Sequence, residues 1–304
     1  MHGGAGVINV FKGLSDANGA SFRLPGPTGD DVNRIMMPHA QSMSSISCPR
    51  PDGGLFPPSV RIVHMSDTHN FLTATGNKSF LPNGNILVHS GNFTTYGTKK
   101  EFEQFNAWLG SVSQQYPFRI VCFGCRDVKE FGNNWDQMRK LLFNATHVLC
   151  HSAATVLGIR FYGAPWHWGH HKNYMVRKGA PGSGRFEDVP MGVQVLITHG
   201  AAAGDLDTTL LPGSKELAVA VKRVRPLVHL HGHSKGAHGF IPHFSRSPLI
   251  VNSALCDPEF KVMYACAHVI KASQITAAED GDTSQGFAMK GYAHWHCEID
   301  SLQG

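Results

Sequence analysis

Five times along this chain, a short apolar run rich in β-branched residues gives way to a compact polar turn. The runs are "VRIVHMS" (60–66), "NILVHSG" (85–91), "RIVCFG" (119–124), "VQVLITHG" (193–200) and "LVHLHG" (227–232). Each has the length and composition of a strand. The turns carry Ser66-Asp67-Thr68-His69, Gly91-Asn92, Gly124-Cys125-Arg126-Asp127, Thr198-His199-Gly200 and Gly232-His233-Ser234-Lys235. Further strands are expected at 147–151, at 249–254 and at 262–270, with a hairpin over 155–165 pivoting at Gly158. Helices are expected at 98–110, 134–143 and 214–224. In the first, Thr98 and Glu101 fit a capping box, and Phe102, Phe105 and Leu109 share a face. In the last, Leu217, Val221 and Val224 point inward. Strands alternating with helices predict a layered α/β fold. In such sheets ligands bind beyond the carboxyl ends of the strands, so the five turns are expected to converge on one site.

Three segments follow from composition. Residues 1–58 are rich in Gly, Pro and Ser without a sustained period and read as an extended N-terminal arm; 59–271 form the folded domain; 272–304 form a C-terminal arm. Sequences of that kind bury too little apolar surface to offset their ordering entropy alone. The arms are therefore expected to contact other protein subunits. Of the 304 residues 42% are hydrophobic and 16% charged, enough for a sizeable core. The net charge of +5 is mild and no dense Lys/Arg run occurs, so nucleic acid is not indicated. Seven scattered cysteines do not form a secreted disulfide framework. No signal peptide or long apolar span is evident, which predicts no membrane association and a reducing intracellular compartment, cytoplasmic or within an organelle or cytoskeletal assembly.

Read in order, Asp67-Thr68-His69, Gly91-Asn92, Gly124-Cys125-Arg126-Asp127, His199 and Gly232-His233-Ser234-Lys235 match the series D-x-H, G-D, G-N-H-[DE], H and G-H-x-H with substitutions. To these add "MSDTH" (65–69), "LVHSGNFT" (87–94), "FNAWLG" (105–110), "YGAPW" (162–166) and "THGAAAGDLD" (198–207). Over residues 60–271 the chain thus resembles the calcineurin-like metallophosphoesterase superfamily, and within it the metallophosphoesterase-domain-containing, cyclic-nucleotide phosphodiesterase-like group. The resemblance implies two packed mixed β-sheets flanked by helices. It also implies two divalent cations bridged by an aspartate, which activate water and clamp a phosphate. Carried over by position, Asp67 and His69 fit ligands of the first cation, and His199 and His233 fit ligands of the second.

Four positions depart from that pattern. The bridging aspartate is Asn92, a neutral amide. The ligand asparagine is Cys125. The histidine that would assist the leaving group is Arg126, which exchanges no proton near neutral pH. The last histidine is Lys235, a donor that repels a cation. Where the family supplies two carboxylates, these positions supply one carboxylate and two cationic side chains. Like charges a few ångströms apart cost several kcal/mol even at an effective dielectric of ~20. The first position is therefore expected to hold no cation. Cys125, His199 and His233, with Asn92 or water, leave room for a single zinc or manganese ion or for none. Asp67, His69, Asn92 and Arg126 would be the remnant of a catalytic set. Arg126 and Lys235 could instead hold an anion such as a nucleotide phosphate.

Other motifs carry less. Cys122 and Cys125 form C-x-x-C, but without a second such pair they read as a buried strand residue and a turn residue. His229, His231 and His233 alternate and would share a strand face, His229 and His231 as satisfied core residues. The stretch "WHWGHHK" (166–172) reads as a surface loop, and Tyr292, His294, Trp295 and His296 as a packing anchor. "APGSGRF" (180–186) lacks the Lys-Ser/Thr of a phosphate loop. The function expected is a catalytically impaired phosphoesterase domain serving as a structural or interaction subunit. The alternatives are a weak or altered metal-dependent phosphodiesterase acting on nucleotides, and a non-catalytic nucleotide or phosphate binder.

Overall fold

The computed structural model describes residues 59–75, 81–132, 134–165, 186–243, 247–257, 267–274 and 295–299. Segment 1–58, most of 272–304, the histidine-rich stretch 166–172 and residues 180–185 lie outside the described residues. The first sheet has strand order β12-β11-β1-β2-β3-β4. Its strands are β1 (Ser59–Met65), β2 (Ile86–His89), β3 (Phe118–Val121), β4 (His147–Val148), β11 (His268–Gln274) and β12 (Trp295–Ile299). β1 to β4 run parallel, whereas β11 pairs antiparallel with β1 and β12 antiparallel with β11. The second sheet has order β5-β6-β7-β8-β10-β9. It contains β5 (Ser152–Val156), β6 (Ile159–Ala164), β7 (Val195–Thr198), β8 (Val228–His231), β9 (Gly239–Ile241) and β10 (Leu249–Asn252). Here β6, β7, β8 and β10 are parallel, and the outer β5 and β9 are antiparallel.

The side-chain period of two sorts each strand between two cores. Ile62, Ile86, Val88 and Ile120 of the first sheet meet Phe161, Val195, Ile197 and Leu230 of the second, forming the layer between the sheets. Their neighbours Val63, Met65, Leu87 and Val121 face the opposite way, onto Phe102, Phe105 and Leu109 of helix α2 (Lys99–Ser111). On the far side, Tyr162 and Leu196 pack against Leu217, Val221 and Val224 of α4 (Lys215–Val224). The short helices α1 (Phe71–Thr75) and α3 (Trp135–Leu141) complete the set. The result is two packed mixed sheets flanked by helices, the α/β architecture that the sequence predicted. Strands buried on both faces are why the apolar runs were nearly continuous rather than alternating.

Local signals were obeyed closely. Thr98 caps α2, and Glu101 closes the capping box. The β5–β6 hairpin turns at Leu157 (φ 50°) and Gly158 (φ 82°), both left-handed as a two-residue I′ turn requires. Three differences stand out. Of the strand expected at 262–270, residues 262–266 lie outside the described residues, and β11 (His268–Gln274) runs four residues past the expected end. Trp295–Ile299, within the segment read as a C-terminal arm, is an edge strand paired to β11. His233 does not extend β8: the strand ends at His231, and His233 turns away with φ 63°. The three alternating histidines therefore do not share one strand face. Among the described residues, no helix is long and apolar enough to cross a membrane.

Candidate functional site

The parallel strands β1, β2, β3, β7 and β8 all end at one edge of the two-sheet stack, and their turns meet there. A parallel bridge between Ser66 and Ala254 ties the first sheet to the second at this edge. The turn after β1 docks on the turn after β2 through backbone hydrogen bonds: Asp67 N–H to the Gly91 carbonyl (2.9 Å), His69 N–H to that of Asn92 (3.0 Å) and Asn70 N–H to that of Phe93 (2.9 Å). Asp67, His69, Asn92 and His233 all have left-handed backbones, with φ of 54°, 42°, 56° and 63°. Such residues cost of order 1–3 kcal/mol each. Burial of Phe93, the residue after Asn92, stacked on Phe105 at 4.2 Å, offsets about one of these four, at about 1.5–3 kcal/mol. Gly232 is required by close approach, because a Cβ there would collide with Ser66 Oγ and Asp67 Oδ2.

Asp67 is fully buried at the centre. Its Oδ1 accepts a hydrogen bond from Asn92 Nδ2 (2.8 Å), and its Oδ2 accepts from Ser66 Oγ (2.8 Å) and the His233 N–H (2.7 Å). Burial alone would raise its pKa. The electrostatic pull of His199, His69 and Lys235 outweighs that and holds the carboxyl below the usual range. The orientation of Asn92 is fixed by its neighbours. The Arg126 N–H can only donate and lies 2.8 Å from Asn92 Oδ1, leaving the amide N–H₂ for Asp67. A hydrogen-bond donor thus points at the carboxylate where the resemblance places a shared cation.

The histidine tautomers follow by the same logic. His69 Nδ1 lies 3.1 Å from the Thr94 carbonyl, so it donates there and turns Nε2 toward Asp67 Oδ1 at 3.7 Å. Burial pushes its pKa down to about 4, so it is neutral at pH 7. His199 Nδ1 donates to the Ser90 carbonyl at 3.0 Å, and burial again lowers its pKa. Its Nε2 faces Cys125 Sγ at 3.8 Å, and His233 Nδ1 faces the same sulfur at 3.9 Å. Burial pushes the Cys125 thiol up to about 12. Lys235 Nζ donates to the Asp257 carbonyl at 2.8 Å, and Arg126 Nη1 reaches the Thr95 carbonyl at 3.5 Å.

All eight residues singled out from the sequence are therefore gathered at one edge. They divide into two positions of different quality. At the first, Asp67, His69, Asn92 and Lys235 offer one carboxylate already holding an amide N–H, plus an ammonium. This donor set does not fit a divalent cation. At the second, the ligand atoms of Cys125, His199 and His233 all lie within 4.8 Å of one another, which does fit one. Cys122 is a buried free thiol in the inter-sheet layer, consistent with a core reading of the C-x-x-C pair. His229 and His231 are buried as expected but only half satisfied: among the described residues His229 Nδ1 and His231 Nε2 have no hydrogen-bond partner.

Two turn residues to which the sequence assigned no role contribute as well. Ser66 supplies a hydroxyl to Asp67. Asp127 accepts four hydrogen bonds, from the backbone N–H groups of Asn92 (2.7 Å), Gly124 (2.8 Å) and Thr94 (3.0 Å) and from Thr94 Oγ1 (2.7 Å). It welds the turns after β2 and β3. Its place as the acidic last member of "GCRD" (124–127) was the available signal.

The chain is similar to several known proteins. The chain is 29% identical over 258 residues to human metallophosphoesterase domain-containing protein 1, covering 75% of each. It is 30% identical over 235 residues to UPF0046 protein C25E10.12 of Caenorhabditis elegans, covering 71% of this chain and 82% of that one. A solved archaeal phosphodiesterase aligns over 79% of this chain with 15% identity and a TM-score of 0.36. No protein-family model matches the chain.

Proposed function

The chain belongs to the calcineurin-like metallophosphoesterase superfamily, and from that premise we propose that it is a member whose two-metal hydrolysis has been disabled and whose role is that of a structural or interaction subunit. One observation carries the first half. The Asn92 amide donates to Asp67 Oδ1 while its carbonyl is held by the Arg126 N–H. A bridging carboxylate would neutralise two cations, whereas this amide presents protons to the same carboxylate. A cation pair, when bound, would supply an activated water and a phosphate clamp. The residues left here position Asp67 and keep it ionised, but they do not assemble the pair. Arg126 and Lys235 add fixed positive charge to the same edge, which opposes cation uptake further.

A turnover assay tests this half. With bis-p-nitrophenyl phosphate or cyclic nucleotides and manganese, the native protein is expected to be indistinguishable from Asp67→Ala and His199→Ala. Turnover by the native protein that Asp67→Ala abolishes would establish the alternative, a metal-dependent phosphodiesterase.

The second half is supported by composition: the Gly-, Pro- and Ser-rich segment 1–58 has little capacity to form a core of its own. As subunit contacts, 1–58 and 272–304 would lace the domain to its neighbours. Deleting 1–58 is the cleaner test, because truncation after 271 would cut into β11 and remove β12. In native cells the full chain is expected in a high-mass fraction on size exclusion and the truncated chain as a free monomer. Co-elution of the two would reject the subunit role.

A further inference from the structure

The second position is more than a remnant, because its ligands come from different sheets. Cys125 stands on the turn after β3 of the first sheet, whereas His199 and His233 follow β7 and β8 of the second. We propose that these three side chains hold one soft divalent cation of the zinc class, and that this ion acts as a clip between the two sheets. The inference takes from the preceding reading only that the first position is closed, so that one ion binds rather than two.

Geometry supports the assignment. A tetrahedral zinc with Zn–S of about 2.3 Å and Zn–N of about 2.0–2.1 Å sets sulfur and nitrogen about 3.5 Å apart. Cys125 Sγ lies 3.8 Å from His199 Nε2 and 3.9 Å from His233 Nδ1, so the two sulfur–nitrogen edges need shifts of only a few tenths of an ångström, and all three ligand atoms lie within 4.8 Å of one another. Asn92 Oδ1, at 3.6 Å from the sulfur, stands at the right distance for a fourth donor. It already accepts the Arg126 N–H, and a carbonyl oxygen has a second lone pair.

Chemistry supports it too. The Ser90 carbonyl fixes the His199 proton on Nδ1, leaving the Nε2 lone pair aimed at the site; carbonyl-held histidines are the usual partners of a bound metal. A thiolate with two imidazoles favours zinc or cobalt over magnesium or manganese. On binding, the Cys125 S–H bond breaks, its proton leaves to solvent and the sulfur lone pair binds the cation, so charge and atoms balance. Cys125, where the resemblance places a ligand asparagine, thereby makes a better site for a single soft ion.

The test uses the full chain, purified without chelator, and the metal alone. Titration with Co²⁺ is expected to saturate at one ion per chain, with a sulfur-to-cobalt charge-transfer band and the visible spectrum of tetrahedral cobalt. Zinc at a hundredfold excess over its Kd is expected to raise the Tm by roughly 5–10 °C over the EDTA-treated protein. Cys125→Ser should remove the charge-transfer band and most of the Tm shift, as should His233→Gln, while Cys150→Ser keeps both. Absence of the band in the native protein, or its survival in Cys125→Ser, overturns the proposal. The outcome is separable from the preceding reading, which stands or falls on Asp67-dependent turnover and not on the cobalt spectrum.

Discussion

Lowering the pH from 7 towards 5 is expected to cost this protein more stability than any single substitution. Six histidines, His64, His89, His229, His231, His238 and His268, are embedded among the strands and their ends. Burial lowers the pKa of all six: to about 3 for His89 and His268, to about 4 for His231 and His238, and well below the usual value for His64 and His229. Several contact serine hydroxyls or one another. His64 sits between the hydroxyls of Ser90 (2.9 Å) and Ser253 (2.7 Å), and Ser253 also reaches His268 at 2.9 Å. His238 stacks on His268 at 4.7 Å. The sign follows from linkage. Their folded pKa values lie below the unfolded value of ~6.5, so the unfolded chain binds more protons as pH falls. The stability is complete above ~6.5 and is lost towards the folded values of 3–4.

Each group can contribute up to about 1.4 kcal/mol per pH unit. At half that value, six groups remove about 4 kcal/mol over one unit, a large part of a typical stability of ~5–15 kcal/mol. Asp127 and Asp205, which burial pushes up to about 7 and about 6, act in the opposite direction but are two groups against six. Urea midpoints measured from pH 7.5 down to 5 should be level at first and then fall steeply. A profile that stays level to pH 5 would show that these rings are not buried neutral.

Asp127→Ala is the substitution expected to do most damage. Three backbone N–H groups and one hydroxyl converge on this carboxylate, all in buried surroundings. Removing it orphans four donors that cost about 1–3 kcal/mol each when left unsatisfied, so a loss of about 4 kcal/mol is expected even at the low end of that range. The consequence for the site is direct. The Asn92 N–H is one of the orphans, and the left-handed backbone of Asn92 then loses a restraint that holds its amide against Asp67. Equilibrium unfolding in urea would measure the loss. A change below about 1 kcal/mol would mean that water replaces the carboxylate and that the turn does not depend on it.

Much of this molecule was legible in the chain because its signals are local. Apolar runs such as 60–66 and 227–232 marked strands through their β-branched content, and Thr98 with Glu101 marked the start of α2. The strand-then-turn rhythm predicted that Asp67, Asn92, Cys125, His199 and His233 would meet, and they do. What escaped was non-local or marginal. β9 and α1 are too short to show a period, and β12 is a strand because β11 offers it an edge. His233 continues the alternation of β8 in sequence yet leaves the strand, since its N–H is drawn to Asp67 Oδ2.

The sequence by itself determined the α/β class, the positions of the parallel strands and the identity of the substituted site residues, because hydrophobic period and residue chemistry are written one residue at a time. Only the tertiary structure decided what those substitutions do. Whether Asn92 offers its oxygen or its N–H₂ to Asp67 depends on the Arg126 N–H 34 positions away. Whether Cys125 is an idle turn thiol or a third ligand depends on two histidines carried by the other sheet. Hydrogen-bond direction and ligand separation are properties of atoms brought together from distant turns, and they exist only once both sheets are packed.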